Sequence, residues 1–194
     1  MGRVRYGLKN LYYAGATAST TTNGALVYDS PTAIPGAKSI SLTAAGAGVD
    51  EPADDTVWFH KDINNGYTGT VEFEDTAAAD SFLATVLGHT TDTKSVVFEA
   101  ASDEQKEFAL MGQFTLEGGA DSETGKRFCF FRCVASRPDV NGQTKEVGGL
   151  TIATNTVNIT VMPRINDDMV KAVADSNSDA YSNWFSAVVT KSTT

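Results

Sequence analysis

Two cysteines, Cys129 and Cys133, lie four residues apart in the segment GKRFCFFRCVASRPD. This spacing could serve a metal site, a redox pair or a buried strand. In a strand both side chains point to one face, and about 3.3 Å per residue places them about 13 Å apart. A disulfide needs Cα atoms within about 7 Å. On a helix the two would be one turn apart, but the aromatic and β-branched neighbours favour a strand. We therefore expect two small, buried, apolar residues.

Other chemistry has little support in the sequence. A zinc site needs two further Cys or His ligands, yet no other cysteine exists and His60 and His89 lie in unrelated segments. The chain has neither a G-x-S-x-G elbow nor an H-E-x-x-H motif. We expect His60 to end a strand. These patterns predict no catalytic residue, no metal site and no cofactor, so the chain is not predicted to be an enzyme.

Charged residues form two groups that could bind ligands. The acidic cluster Asp50, Glu51, Asp54 and Asp55 lacks the alternate-residue spacing of a calcium loop, so we expect a solvated flap. A second group, the arginines, accompanies aromatic residues as in an RNA-binding sheet, but a chain with net charge −9 repels phosphates. We expect these arginines to pair with carboxylates across an interface. They are Arg127, Arg132 and Arg137.

The bulk composition is that of a globular protein that fills one domain, residues 1–194. Its 194 residues include 41% hydrophobic residues, and no run of about 18 apolar residues could span a bilayer. The polar N-terminus resembles no signal peptide. We therefore expect synthesis in a cytosol, with reduced cysteines and no membrane anchor.

Period-two hydrophobicity predicts strands with one wet face through most of the chain. In GTVEFE, for example, Val71 and Phe73 alternate with Glu72 and Glu74. The same alternation marks SISLT, EFALMGQFTLE and TVNITVM, while VRYGLKNLYYA and DTVWFHKD are rich in strand formers. The segment 117–127 is predicted to be the tip of a long hairpin.

One helix is predicted over residues 75–87, where apolar residues recur at helical spacing between a cap at Asp75 or Thr76 and an end at Gly88. A weaker helical pattern lies in DAYSNWFSAVV, near the C-terminus. Segments 15–33, 43–55 and 89–106 are predicted to be loops. The expected fold is mainly β, an antiparallel, barrel-like β-sandwich with one flanking helix. An N-terminal arm (1–14), a flexible loop (43–55) and a C-terminal arm or helix (164–194) extend from it.

Several segments together resemble a known family. They are VRYGLKNLYYA, IPGAKSISL, ADDTVWFHKDINNGYTGTVEFE, FLATVLG, KRFCFFRCVASRPDVNGQTKE, TNTVNITVMP and YSNWF. In this order they are similar to the major tail proteins of long-tailed, non-contractile bacteriophages and prophages. The resemblance implies a tail-tube fold whose copies form hexameric rings, which stack into a tube that delivers the genome.

The resemblance also implies partners and places. The chain would contact itself, the tape measure, distal tail and tail terminator proteins, and DNA in transit without specific binding. It would reside in the virion tail, after assembly in the bacterial cytoplasm. Because carboxylates repel DNA phosphates, we expect acids on polar strand faces to line the bore. The candidates for this lining are Glu72, Glu74, Glu117, Asp121 and Glu123.

Apolar and acidic residues outside the best strands are candidates for contacts between subunits. We expect some of these segments to become ordered only when rings stack. The candidates are Tyr6, Leu8, Leu11, Tyr13, Asp50, Glu51, Asp54, Asp55, Trp184 and Phe185. Two alternative functions remain open: a non-viral β-sandwich that binds a carbohydrate or a cell-surface ligand, and a tube subunit of a secretion or injection device.

Overall fold

The computed structural model of the chain describes residues 4–19, 24–117, 125–142, 144 and 154–191. These residues form thirteen strands and one α-helix. In chain order they are β1 (Val4–Ala18), β2 (Leu26–Tyr28), β3 (Thr32–Ile34), β4 (Ala37–Ala44), β5 (Gly48–Ala53), β6 (Thr56–Asp62), β7 (Tyr67–Glu74), α1 (Ala77–Leu87), β8 (Thr90–Thr91), β9 (Val97–Phe98), β10 (Phe108–Glu117), β11 (Gly125–Ala135), β12 (Thr154–Val161) and β13 (Lys171–Ala174).

Nine strands form one antiparallel sheet in the order β2-β1-β10-β11-β12-β7-β4, with β3 paired to β1 and β13 paired to β11. Strands β1 and β4 come close to each other without pairing, so the sheet curls round on itself. Two small hairpins, β5–β6 and β8–β9, stand apart from this sheet. The fold is therefore mainly β and sandwich-like with one helix, as predicted.

Hydrophobic residues pack on both faces of the sheet because successive residues of a strand point to opposite sides. Along β10, Phe108 and Leu110 enter the main core, whereas Ala109 and Met111 enter a second core. The main core lies inside the curl and includes Leu11, Ile34, Val71, Phe73, Phe82, Val157 and Ile159. The second core lies beneath the C-terminal segment and includes Cys129, Phe131, Ala174 and Trp184.

The predicted helix is confirmed, with two residues fewer at its start. The side chain of Thr76 accepts a hydrogen bond from the backbone N–H of Ala79, and Gly88 ends the helix at φ 78°. Only glycine adopts this left-handed conformation without a steric cost. The apolar stripe buries Phe82 and Val86 against the main core.

A β-bulge in β11 makes one prediction about the cysteines wrong. Phe108 and Leu110 of β10 lie opposite Cys133 and Phe130, so two steps along β10 match three along β11. The extra residue reverses the alternation of faces. Cys129 consequently packs in the second core and Cys133 in the main core. The prediction that both are buried, unbridged residues is confirmed.

The N-terminal segment is a strand rather than an arm. Strand β1 pairs with β10 along nearly its whole length and also with β2 and β3. Leu11 and Tyr13 are only 1% and 7% exposed. Their prediction as subunit-contact residues is therefore wrong, because the alternation of β1 turns them into the main core of their own chain.

The predicted C-terminal helix is also wrong. After Arg164, the described residues contribute β13 and then a series of turns. In these turns Ser178, Tyr181 and Trp184 each donate a backbone hydrogen bond to the residue three positions earlier. Ser, Asn and Asp side chains compete for backbone groups and weaken helices. This segment is anchored by Trp184, which is 3% exposed and donates from its indole Nε1 to the Phe128 carbonyl. Trp184 is thus a core residue and not a subunit contact.

Candidate functional site

Residues 43–55, predicted to be a flexible loop, instead contain strand β5 and the turn of a β-hairpin. Strands β5 and β6 pair from Gly48 opposite Asp62 to Ala53 opposite Thr56. The two residues between them, Asp54 and Asp55, have φ values of 51° and 59°. Two consecutive positive φ values are the mark of a two-residue type I′ turn, which suits the right-handed twist of paired strands. The acidic cluster therefore supplies both the turn and part of one strand.

The β5–β6 hairpin makes little contact with the rest of the chain. All its strand residues are exposed, and within the described residues its strands pair only with each other. An isolated two-stranded hairpin is marginally stable in water. A partner that covers this hairpin would therefore stabilise its extended conformation.

Large apolar side chains on this hairpin face solvent. Trp58 is 72% exposed, and Val49, Val57 and Phe59 are also exposed. Trp58 is the extra residue of a bulge between the pairs Glu51–Phe59 and Pro52–Val57. A bulge re-aims a side chain, and exposed aromatic residues grouped with other apolar residues mark interaction surfaces. We call residues 48–62 the projecting hairpin.

His60 lies on the projecting hairpin between two carboxylates. Its Nδ1 is 2.5 Å from Asp50 Oδ1, and its Nε2 is 3.3 Å from Asp62 Oδ1. All three side chains are more than half exposed, so such pairs add little to stability. The Asp50 contact joins the two strands, whereas the Asp62 contact lies within β6. His60 lies within β6, close to its end at Asp62 rather than at the end itself.

The predicted lumen residues Glu72 and Glu74 lie on the polar face of β7. Glu72 accepts hydrogen bonds from Thr154 Oγ1 at 2.8 Å and from Ser39 Oγ at 3.2 Å. Glu74 pairs with Lys38 at 3.1 Å. The register of β4, β7 and β12 aligns three rows of small polar side chains around these acids. The rows are Thr43–Thr68–Thr160, Ser41–Thr70–Asn158 and Ser39–Glu72–Thr156.

The structure describes no side chain for the other three predicted lumen acids. The backbone of Glu117 pairs with Val4 at the end of β10, but its side chain is outside the described residues, as are Asp121 and Glu123. The pairing of Thr115 with Gly125 confirms that β10 and β11 form the long hairpin predicted around them.

The remaining predicted contact residues are accessible to different degrees. Asp50, Glu51, Asp54 and Asp55 are exposed on the projecting hairpin, and Tyr6 is exposed near the start of β1. Leu8 is half-buried against the main core. Phe185 is half-buried and stacks on Tyr12 at 4.7 Å between ring centroids.

The arginines of β11 and its surroundings contact residues of their own chain. Arg132 pairs with Glu107 at 2.6 Å, and Arg137 pairs with Glu99. Arg127 donates to Gln113 and lies over the Tyr181 ring, 3.8 Å from its centroid. Each arginine therefore has a partner on a neighbouring segment of the same chain, and pairing across an interface stays a prediction.

Sequence reasoning missed the aromatic part of the projecting hairpin. DTVWFHKD contains strand formers, but its register could not be read without knowing that Asp54-Asp55 forms a turn. The available signal was the two-residue acidic pair between VDEPA and TVWFH, since Asp tolerates positive φ. With that turn recognised, the exposed Trp58 and Phe59 belong to the same hairpin as the predicted acids.

Within the described ranges, no three His, Cys, Asp or Glu residues group as ligands for a metal ion. In the same residues, no helix has the length and apolarity required to cross a bilayer. No known family model matches this chain, and a comparison with curated proteins finds no similar protein.

Proposed function

We propose that this chain is a structural subunit that polymerises as stacked, hexameric rings into the tail tube of a long-tailed bacteriophage. The observation that carries this proposal is the projecting hairpin, which leaves Trp58 and Phe59 uncovered on strands that contact little of their own chain. A strand pair of seven residues on its longer side extends about 23 Å, at about 3.3 Å per residue. It can therefore reach well into a neighbouring copy.

A second feature supports growth around a ring. Strand β4 has eight residues and, among the described residues, pairs with β7 alone. An unpaired strand edge presents N–H and C=O groups that a strand of another copy can satisfy. Repeating this addition joins the sheets of successive subunits into one continuous wall.

The polar face next to that edge suits the lining of a DNA conduit. It consists mainly of Ser, Thr and Asn side chains, with Glu72 as its central charge. Neutral hydroxyl groups offer phosphates no ion pair, and carboxylates repel them. The net charge of −9 acts in the same direction over a longer range. DNA would pass such a wall without being held by it.

The decisive test is negative-stain electron microscopy of the concentrated full chain, with analytical ultracentrifugation across a concentration series. We expect rings or hollow tubes above a threshold concentration. A chain that stays monomeric at millimolar concentration, in low and high salt and with a nucleating tail extract, would contradict the proposal.

The lining can be tested separately in assembled tubes. We expect Glu72→Lys to retain double-stranded DNA that wild-type tubes release, whereas Glu72→Gln should release it. A map of the tube in which Glu72 lies between subunits, away from the bore, would end this part of the proposal.

A further inference from the structure

A cavity of about 320 Å³ opens where the curled sheet fails to close between β1 and β4. Its floor is aromatic: the rings of Phe114 and Phe128 are 4.8 Å apart, and those of Phe128 and Phe130 are 5.6 Å apart. Tyr67 adds a further ring 5.6 Å from Phe130. These residues border the main core, so the cavity is an unfilled extension of it. We call it the seam pocket.

Three cations surround this aromatic floor. The Arg5 guanidinium lies over the Phe114 ring at 4.5 Å, and the Lys171 ammonium lies 2.6 Å from the Tyr67 hydroxyl. Lys126 also lines the pocket. Among the described residues, none of the three forms an ion pair with a carboxylate, and no acid lines the pocket. In a chain with nine excess negative charges, this local positive charge stands out.

The chemistry of the pocket fits an acidic segment that carries aromatic side chains. A volume near the lower end of ligand pockets accepts one or two rings rather than a large ligand. Positive groups at the rim would attract carboxylates beside those rings. The projecting hairpin has this composition: Trp58 and Phe59 stand among Asp50, Glu51, Asp54, Asp55 and Asp62.

We propose that the seam pocket receives the projecting hairpin of a second copy of this chain, with Trp58 or Phe59 on the aromatic floor and the acids at Arg5, Lys126 and Lys171. This inference rests on the proposed function, and it names the surface that receives the hairpin. Burial of the aromatic residue supplies most of the affinity, while the charges set orientation and partner choice.

A second copy fits better than the hairpin's own chain. No residue of 48–62 lines the seam pocket, and the hairpin is exposed along both strands. Double-stranded DNA fits less well because its bases are stacked and the aromatic floor would meet only sugar and phosphate. Transfer of the hairpin between copies also covers both exposed surfaces at once.

The first experiment reverses the pocket charge. We expect Lys126→Glu with Lys171→Glu to raise the threshold concentration for assembly at least tenfold. The control, Lys94→Glu with Lys191→Glu, makes the same change of net charge on exposed residues elsewhere and should leave the threshold unchanged. Adding Glu51→Lys and Asp62→Lys on the hairpin should restore assembly of the pocket variant. Because Lys171 also contacts Tyr67, Lys126→Glu alone is measured beside it, with the unfolding free energy of every variant.

The second experiment identifies the partner directly. Asp55→Cys and Lys126→Cys chains are mixed and oxidised, since the native cysteines are buried and unavailable. We expect a disulfide-linked heterodimer from the mixture and little product from either chain alone. With both substitutions in one chain, a link confined to monomers would show that the hairpin folds onto its own pocket and would overturn the proposal.

The outcomes separate this proposal from the proposed function. If wild-type chains form tubes but the pocket variants assemble normally and no heterodimer forms, the seam pocket is not the receiving surface. If the pocket variants assemble normally but lose binding to double-stranded DNA, the cations serve nucleic acid and the proposal fails. If no ring or tube forms, the tail-tube function falls, while the heterodimer still decides whether hairpin and pocket meet.

Discussion

Cys129 and Cys133 lie four residues apart in one strand and face opposite sides of the sheet, because a bulge in β11 separates them. Each thiol is sealed in a different core, and the Cys133 Sγ lies 3.8 Å from the Phe130 carbonyl of its own strand. Burial raises the pKa of Cys129 to about 12 and the pKa of Cys133 well above its ordinary value. Both cysteines are therefore neutral packing residues.

The first prediction concerns thiol reactivity and alkaline stability. Iodoacetamide at pH 8.5 should label neither cysteine in the native chain and both in denaturant, because only the thiolate reacts. Since the folded-state pKa of Cys129 lies above the unfolded value of 9.0, the Cys129 thiol keeps its proton to higher pH in the folded chain than in the unfolded chain. The free energy of unfolding should therefore fall as pH rises from about 9 to 12.

Burial likewise raises the pKa of Tyr28 to about 12, so Tyr28 adds to this fall above pH 10. Denaturant titrations at several pH values measure the slope. Cys129→Ala should reduce it, whereas a change in a surface residue such as Ser81→Ala should not. Rapid native labelling of either cysteine would contradict the burial on which the prediction rests.

A second prediction tests the aromatic centre that joins the helix to the sheet. Phe82 is 1% exposed, and its ring meets those of Tyr13, Phe73 and Phe108 at 4.9, 5.8 and 5.4 Å. Phe82→Ala should lower the free energy of unfolding by about 3–5 kcal/mol, because it leaves a cavity where three other rings packed edge-on against the Phe82 ring. The exposed neighbour Ser81→Ala should change it by less than about 0.5 kcal/mol. Equal effects of the two in a denaturant titration would argue against this packing.

Strands and the helix could be predicted because their signals are local. The alternation of Val71 with Glu72, or the spacing from Ala79 to Leu87, already indicates which side faces the core. The predicted lumen acids Glu72 and Glu74 lie on the polar side for the same reason.

The predictions failed where residues distant in sequence determine whether a side chain is buried and which face of the sheet it occupies. Tyr13 and Trp184 look like free apolar residues in sequence, but Tyr13 packs against Phe82 of α1 in the main core and Trp184 packs in the second core. The bulge that separates the two cysteines depends on the register in which β11 pairs with β10. The alternation of residues within one strand gives no information about that register. The seam pocket is lined by Arg5, Lys126 and Lys171, which come from three strands distant in sequence. No local motif therefore predicts it.

A third prediction uses the two tryptophans as a matched pair. Trp58 is exposed and Trp184 is buried. Trp58→Ser should leave the monomer's free energy of unfolding within about 0.5 kcal/mol of wild type and raise the assembly threshold sharply, while Trp58→Phe should keep assembly. Trp184→Ala should instead lower stability by about 3–5 kcal/mol. Thermal unfolding and sedimentation measure the two effects, and normal assembly of Trp58→Ser would remove this residue from the interface.

The last prediction concerns the turn at the tip of the projecting hairpin. Asp54 and Asp55 both adopt positive φ, a conformation that Asn and Gly accept easily and that β-branched residues resist. Asp54→Asn with Asp55→Gly should order the hairpin in the free chain and raise protection of its amides against hydrogen exchange. Asp55→Val should lower that protection while the amides of β1 and β10 keep theirs, because the hairpin is separate from the main sheet.

The same variants also separate shape from charge in assembly. The Asn-Gly variant removes two acids but keeps the turn, whereas Asp55→Val removes one acid and strains the turn. If hairpin geometry dominates docking, Asp55→Val should assemble less well than the Asn-Gly variant. If the acids dominate through the cations of the seam pocket, the order should reverse, and adding salt should reduce the difference between wild type and the Asn-Gly variant.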